Sequence, residues 1–464
     1  MLSLDSFSVN QLLYLDRALN SWGDRCWEFA IGLYLIKLNP DSLILAALQG
    51  ILASCLSIII IPFLGRWISK AHRLTEISVF LFFQNFCVLI AASFVALFFL
   101  GDRFLGRSIN KIIQLLSPYI LVIFSAFAQV ASSGYTLCLE KDWILMIAKD
   151  DQQLSVLNAS LRRIDLVIKT ISPLLVGLII QYSDLASALF LMFFNLFSGL
   201  IEYLIMKVVF TKVIDLSKKK SPVTRVNSSS SDIIEMIGYK QSIASYIKHY
   251  GSRGISFSLM YLSVLGFDSI TVGFVKSKGV SETIIGLVSV LGALTGIIGT
   301  LVFQWMVKHF NLNHIATMGY ISDLAPLSLC LIMVFTFHGN NSSPSDPSMI
   351  LFLTGITLSR VGLWITDLAN NQLIQTTTPN PVLIGGIQNS LNTSAELTKF
   401  ILTAILSKLS QFYILVLVSY FSVTIATILS ICYIFHARFS PSKPKNNQIK
   451  NINLSVIEIP KEIE

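Results

Sequence analysis

Runs of mostly apolar residues recur about twelve times along this chain, each near the 20 or so residues a helix needs to cross a bilayer. Between charged or Gly/Pro-marked breaks they lie near 12–38, 41–64, 74–100, 112–138, 153–182, 185–211, 249–276, 281–307, 314–337, 349–376, 381–408 and 411–436. Inside hydrocarbon every backbone N–H and C=O must bond within its own segment, so these runs are read as helices. Composition agrees: of 464 residues 53% are hydrophobic and 13% charged, with a mean hydropathy of +0.69. A soluble protein carries roughly 25% charged residues, which excludes a soluble enzyme, a nucleic-acid-binding module and a disordered scaffold. The net charge of +8 sits largely in connections beside the spans, where it orients the chain in the membrane. Six cysteines stand singly in apolar segments without CxxC spacing, a pattern of buried thiols rather than of a disulfide framework or zinc knuckle. The first apolar run is interrupted by Asp24, Arg25 and Glu28, so it reads as a span and not as a cleavable signal peptide.

One composition break divides six spans from six. It holds Lys218–Lys220, Pro222, Arg225 and the serines 228–231. The expected organisation is an N-terminal six-helix lobe at 1–212, a basic Ser-rich cytoplasmic linker at 213–245, a C-terminal six-helix lobe at 246–437 and a cytoplasmic tail at 438–464. Arg66, Lys70 and Arg73 after the second span agree with that orientation, whereas Asp102, Arg103, Arg107 and Lys111 run slightly against it. The connection at 338–348 then lies outside, where its sequons at Asn340 and Asn341 are acceptable. The fold this predicts is an all-α membrane protein of twelve transmembrane helices in two six-helix lobes, of the major-facilitator type, rocking about a site near mid-membrane. A channel would show pore-loop repeats, and an enzyme a nucleophile or metal cluster at one interface. Neither pattern is present.

Ionisable groups at membrane depth cost at least about 2.5 kcal/mol each, so their positions carry the functional information. Asp24 and Glu28 are four apart on one face of span 1, and Asn195, Ser198 and Glu202 share a face of span 6. Gln84-Asn85 is a lone polar pair in span 3. Together they predict an oxygen-and-amide pocket for a divalent cation, with Cys26 nearby; the alternative is that Arg25 neutralises the span 1 acids and span 6 is held by interhelical hydrogen bonds. All six histidines lie at or near span ends, so a mid-membrane metal is held mostly by oxygen. Span 7 repeats the glycine-then-acid pattern at Gly266-Phe267-Asp268-Ser269, where glycine can open a helix. Span 5 opens with Asn158, Arg162, Arg163, Asp165 and Lys169 at helical spacing. With Arg73 and Asp142 these form either an ion-pair gate between lobes or a snorkelling helix end.

These residues resemble the ferroportin family of cellular iron exporters. The matching segments are residues 22–29 (WGDRCWEF), Gln84-Asn85, 158–165 (NASLRRID), Glu202-Tyr203, 264–268 (VLGFD), 359–364 (SRVGLW) and 386–390 (GIQNS), in order along the chain. The resemblance implies Fe(II) export coupled to proton entry, with cobalt, nickel, zinc and manganese as lesser substrates. It places a metal at Asp24 and its i+4 partner, here Glu28, where animal members often have histidine. It implies a calcium site at Asp24, Gln84, Asn195 and Glu202, and a cytoplasmic gate at Arg73, Asp142, Asn158 and Arg162. Vertebrate members hold a second metal through a cysteine and a histidine whose positions are Ser269 and Lys399 here. Lys399 stands i+3 from Glu396, so the second site is expected to be weak or absent, with Asp268 and Glu396 left for proton coupling or gating. Binding of a hepcidin-like peptide, which uses that cysteine, is not expected.

The resulting expectation is an alternating-access exporter of divalent metal without a tightly bound cofactor, monomeric, acting on metal ions and protons among membrane lipid. The plasma membrane is the expected location, with a vacuolar or other internal membrane as alternative. Two other readings stand beside it: a major-facilitator carrier of an organic cation, using Asp24 and Glu202 as charge partners, and a membrane metal sensor without turnover.

Overall fold

The structure, a computed structural model, describes residues 6–38, 44–104, 107–217, 244, 246–247, 250–267, 269–280, 282–336, 347–378, 380–406 and 411–439. Most of the 213–245 linker, both sequons, the tail from 440, Asp268 and the side chain of Ser269 lie outside the described residues.

Among the described residues each expected run is at least partly helical, and no strand occurs. The first half holds α1 (Val9–Leu38), α2 (Ile44–Ile68), α3 (Arg73–Phe104), α4 (Arg107–Ile147), α5 (Asp151–Tyr182) and α6 (Asp184–Lys212). The second holds α7 in two pieces (250–261 and Ser269–Ser277), α8 (Glu282–Val307), α9 (Leu312–Thr336), α10 (Pro347–Thr377), α11 (Pro381–Ile405) and α12 (Phe412–Phe439). Among the described residues, nine of these are long and apolar enough to cross a membrane by length and composition. The other three, α1, α7 and α11, are the helices that carry Asp24, the break and the Glu396–Lys399 pair. Large apolar side chains such as Phe82, Leu115, Leu178 and Phe197 stand exposed, as a surface facing lipid requires.

Local chemistry sets several boundaries. Asp150 caps α5 by accepting from the Gln153 amide at 2.6 Å, and Ser183 ends α5 and caps α6 from the Ala186 amide at 3.2 Å. Asn380 caps α11 ahead of Pro381, which supplies the first-turn residue that needs no donor. Within α4, Leu139–Trp143 form a π-turn, so the helix continues past the expected end at 138.

The first-half core divides into two apolar clusters. One gathers Leu12, Leu13, Ile77, Phe80, Trp143, Leu157 and Met206 at the end that holds the start of α1 and the close of α6, hereafter the linker end. The other gathers Cys26, Trp27, Tyr34, Ala91, Leu121, Ile180 and Leu191 at the opposite end. Helices α1, α3, α4, α5 and α6 each place polar residues between the two clusters, so a polar layer lies at mid-depth. Within the halves α1 packs on α5 and α6, α3 on α4 and α6, and α10 on α8 and α9. Across them α2 meets α11 and α5 meets α8. Exchanging the halves turns one of these contacts into the other, the pseudo-symmetry of repeat-built transporters.

Candidate metal site and inter-lobe gate

The mid-depth layer is organised by one face of α1. Asp16, Asn20 and Asp24 stand at i, i+4 and i+8, about 6 Å apart along the axis. Asp24 Oδ1 accepts a short hydrogen bond from Gln84 Nε2 on α3, and Oδ2 accepts from Ser132 Oγ on α4 at 2.5 Å. Gln84 Oε1 has no hydrogen-bond partner. Gly23 lets α6 come this close: a Cβ there would stand 3.0 Å from Asn195 Oδ1, while Asn195 Nδ2 is held by the Leu191 carbonyl at 2.8 Å. Asp24 is half-buried, and its partner Ser132 lines a polar cavity of about 210 Å³ between the halves.

One turn toward the linker end lies a second set of oxygens. Glu202 accepts from Asn20 Nδ2 at 3.2 Å and, through a short bond, from Ser198 Oγ. Asp16, fully buried, accepts from the Tyr135 hydroxyl. Asp16 Oδ1 and Asn20 Oδ1 have no hydrogen-bond partner. Among the described residues no lysine or arginine stands within ion-pair distance of Asp16, Asp24 or Glu202. Nor do any three His, Cys, Asp or Glu side chains among them gather around one point, so amide and hydroxyl oxygens must complete any cation site.

Glu28 stands apart from Asp24. Its Oε2 accepts from Arg25 Nη1 at 2.7 Å and its side chain is 64% exposed. Arg25 also donates to Asp165 on α5 at 3.0 Å, and Arg17 reaches the same carboxylate at 3.8 Å. The i+4 spacing of Asp24 and Glu28 is thus overridden by the closer i+3 arginine.

Most of the hydrogen bonds that join the halves lie toward the linker end, while Ser390 Oγ on α11 donates to the Ile58 carbonyl on α2 at 3.1 Å nearer mid-depth. Arg162 Nη2 donates to Asp367 on α10 at 2.8 Å, and its guanidinium lies 5.0 Å over the Trp364 ring. Asn158 Nδ2 donates to Gln375 Oε1 at 2.6 Å, and Gln375 Nε2 donates to the Glu140 carbonyl at 2.6 Å. Lys141 Nζ donates to Asn371 Oδ1 at 2.9 Å, and Gln372 Nε2 to the Asp151 carbonyl at 3.0 Å. The π-turn of α4 supplies both Glu140 and Lys141 to this seam. Arg73 and Asp142, 3.0 Å apart, join α3 to α4 inside the first half, and Asp165 is 4.0 Å from Arg162 on its own helix. Of the sequence-derived gate, Asn158 and Arg162 therefore cross the halves, while Arg73, Asp142 and Asp165 brace one of them.

Lys141, Asp367, Asn371 and Gln375 were not evident as gate residues from the sequence. Asp367, Asn371 and Gln375 repeat at i, i+4 and i+8 along α10, so they share one face, which is the signal that finds them. In the second half, Lys399 is buried at 3.8 Å from Glu396 and 4.9 Å from the Phe400 ring. A buried network joins α7 to α11: Tyr246 donates to Gln388 Oε1 at 2.7 Å, and Gln388 Nε2 donates to Ser258 Oγ at 3.0 Å and Asn392 Oδ1 at 2.7 Å.

Two helical halves joined toward one end beside a polar mid-depth cavity form the two-lobe fold of the major-facilitator type. Among solved structures, an outward-facing bacterial homologue of the iron transporter ferroportin superposes with a TM-score of 0.76 at 23% identity, covering 92% of this chain and 100% of that one. The major-facilitator transporter FucP, in its outward conformation, superposes at 0.60 with 10% identity, covering 92% of this chain and 99% of its own. The sequence is 27% identical to solute carrier family 40 member 1 of Danio rerio over an alignment of 500 positions that covers 89% of each chain. The family model Ferroportin1 (FPN1) matches residues 8–423, and the chain belongs to the ferroportin family.

Proposed function

We propose that this protein exports divalent transition metal, chiefly Fe(II), by alternating access, with Asp24 as the principal ligand. The observation that carries the reading is the state of Asp24. It is a half-buried carboxylate at mid-depth beside the inter-lobe cavity, bonded only to the neutral donors Gln84 and Ser132. A carboxylate so placed gains from a cation and has none of its own. A bound divalent ion displaces the two donors, which leaves Asp24 and the Gln84 carbonyl oxygen facing it. Relatives support the cargo, among them the ferroportin of Homo sapiens and the bacterial ferroportin homologue whose structure was solved with soaked iron.

The cross-lobe bonds make this a linker-closed conformation. By the charge rule the linker end is cytoplasmic, so metal here has access to the outer side. Metal entry from the cytoplasm then needs Arg162–Asp367, Lys141–Asn371 and Asn158–Gln375 to part, and Asp165 stands ready to hold Arg162 when they do. The second half contributes no second metal, because the Lys399 ammonium supplies positive charge beside Glu396; proton counterflow, and cobalt, nickel, zinc and manganese as lesser cargo, complete the reading.

Calcium is the proposed modulator. Asp16 Oδ1 and Asn20 Oδ1 offer buried hard oxygens without donors, beside the Glu202 carboxylate held by Asn20 and Ser198, with Asp24 one turn away. Occupation by calcium draws α1 against α6. Flux of Co(II) and Fe(II) into proteoliposomes tests the proposal. Saturable metal flux unaffected by organic cations supports it, and competition by organic cations without metal flux transfers the site to an organic-cation carrier.

A further inference from the structure

The Ser359–Trp364 segment has no role in the metal site just proposed, yet it touches an irregular stretch of backbone at membrane depth. Helix α7 stops at residue 261 and resumes at Ser269, and within the described part of the break each polar group that is bonded is bonded by a specific partner. The Val264 amide donates to Ser419 Oγ at 2.9 Å, and the Val264 carbonyl accepts from Thr271 Oγ1 and from the Gly266 amide at 2.8 Å. The Leu265 amide donates to Ser263 Oγ at 3.1 Å. The Leu265 carbonyl accepts from Arg360 Nη2 on α10 at 2.6 Å. In a continuous helix that carbonyl would accept from the amide of residue 269. Arg360 therefore supplies the donor that the break removes.

A second acceptor waits beside the same guanidinium. Asp323 on α9 is 2% exposed, and its Oδ1 has no hydrogen-bond partner. The polar groups that interact with it are the Arg360 guanidinium and the Ser359 hydroxyl on α10, with Tyr320 and Cys330 on its own helix, and Arg360 Nη2 already donates to Ser359 Oγ at 3.3 Å. The backbone holds Asp323 in place: α9 and α10 touch so closely at Gly362 that a Cβ there would stand 2.2 Å from the Asp323 nitrogen. A buried carboxylate oxygen without a donor is costly in this setting, and the protein keeps it within reach of a cation that is engaged elsewhere.

The geometry points to Arg360 as a two-position latch and Asp323 as its second seat. With the linker end closed, Arg360 lies on the Leu265 carbonyl and α7 is broken. When the lobes rock, Arg360 turns to Asp323, the Leu265 carbonyl takes back the residue 269 amide, and α7 rewinds. Arg360 is a positioning residue in this scheme. Helix α10 connects the latch to the gate, because Asp367 lies two turns beyond Arg360 on the same helix. The inference rests on the transporter reading and does not depend on which ion is carried.

The test is hydrogen exchange of the amides in 263–272, measured on the full chain in nanodiscs without metal, for wild type, Asp323→Asn and Arg360→Gln. Removing the second seat holds α7 broken, so Asp323→Asn speeds exchange there. Removing the donor releases the Leu265 carbonyl to its helical partner, so Arg360→Gln slows it. Shifts of opposite sign, each about fivefold or more, are the predicted result, because each substitution removes one of two competing partners. A purely structural role speeds exchange in both variants, and that outcome, or no change in either, overturns the latch. Asp323→Glu and Arg360→Lys guard against misfolding: they must leave exchange in α3 and α9 as in wild type and shift 263–272 less than Asn and Gln do. Absence of metal flux in the wild type would count against the transport reading and leave the exchange result standing.

Discussion

Replacing Asp367 with alanine removes the partner that Arg162 finds across the lobes, and the structure bounds the effect. A charge-assisted hydrogen bond contributes about 1.5–3 kcal/mol. The Arg162 and Asp367 side chains are 19% and 9% exposed, and Asp165 stands 4.0 Å from Arg162 to receive it afterwards. Rehydration and that second partner return part of the loss, leaving about 1–2 kcal/mol, or roughly 5–30-fold in the ratio of linker-open to linker-closed molecules. The bonds made by Asn158, Lys141 and Gln372 remain, so the end loosens without falling open. Spin labels at Met146 and Thr377, read by pulsed electron paramagnetic resonance, report that ratio. A double-mutant cycle gives the pair its own value: Arg162→Ala with Asp367→Ala is predicted to couple by about 1–2 kcal/mol. Arg73→Ala with Asp367→Ala is predicted to couple by less than about 0.5 kcal/mol, because Arg73 braces α3 against α4 and does not cross the halves. Equal coupling in the two cycles would refute the assignment of Arg73 and Asp142 to the interior of one lobe.

Glu28→Gln is predicted to leave metal flux within about threefold of wild type, since Glu28 is exposed and paired with Arg25; a loss as deep as that of Asp24→Ala would restore it to the metal site. Glu202→Gln and Asp16→Asn are each predicted to abolish the calcium signal in calorimetry while leaving the fold intact by thermal denaturation, and unchanged heats would make both residues structural. Lys399→Ala is predicted to keep wild-type flux, because the lysine occupies the second half's polar site without serving as a ligand; a loss of flux with normal expression would give the second half a part in transport.

Much of the fold was legible because hydrocarbon permits so little else. The run at 185–211 became Asp184–Lys212, capped by Ser183, and that at 314–337 became Leu312–Thr336. Where expectation failed, a partner remote in sequence was responsible. The span 4 run was ended at 138 because Glu140-Lys141-Asp142 reads as a loop. The helix continues to Ile147 because Lys141 is bonded to Asn371 and Asp142 to Arg73. The run at 249–276 read as one span, although Gly266 hinted at the break, and only the Ser419 acceptor and the Arg360 donor show how an interrupted backbone is held there. In the site, Asp24 and Gln84 were visible as polar residues in apolar runs, and they meet. Glu202 was visible too, but its contact with Asn20 depends on how α6 crosses α1. Asp16 is not among the sequence-derived site residues; the structure gives its neighbour Arg17 to Asp165 and leaves Asp16 to the Tyr135 hydroxyl.

The central claim is that a cation passes through the Asp24 pocket, and it is tested most directly by Co(II) and Fe(II) flux into proteoliposomes for wild type and Asp24→Ala, with internal pH recorded. The account predicts saturable flux in the wild type, proton movement opposite to the metal, and loss of both in the variant at equal reconstitution. Flux that survives in a folded Asp24→Ala protein would contradict it.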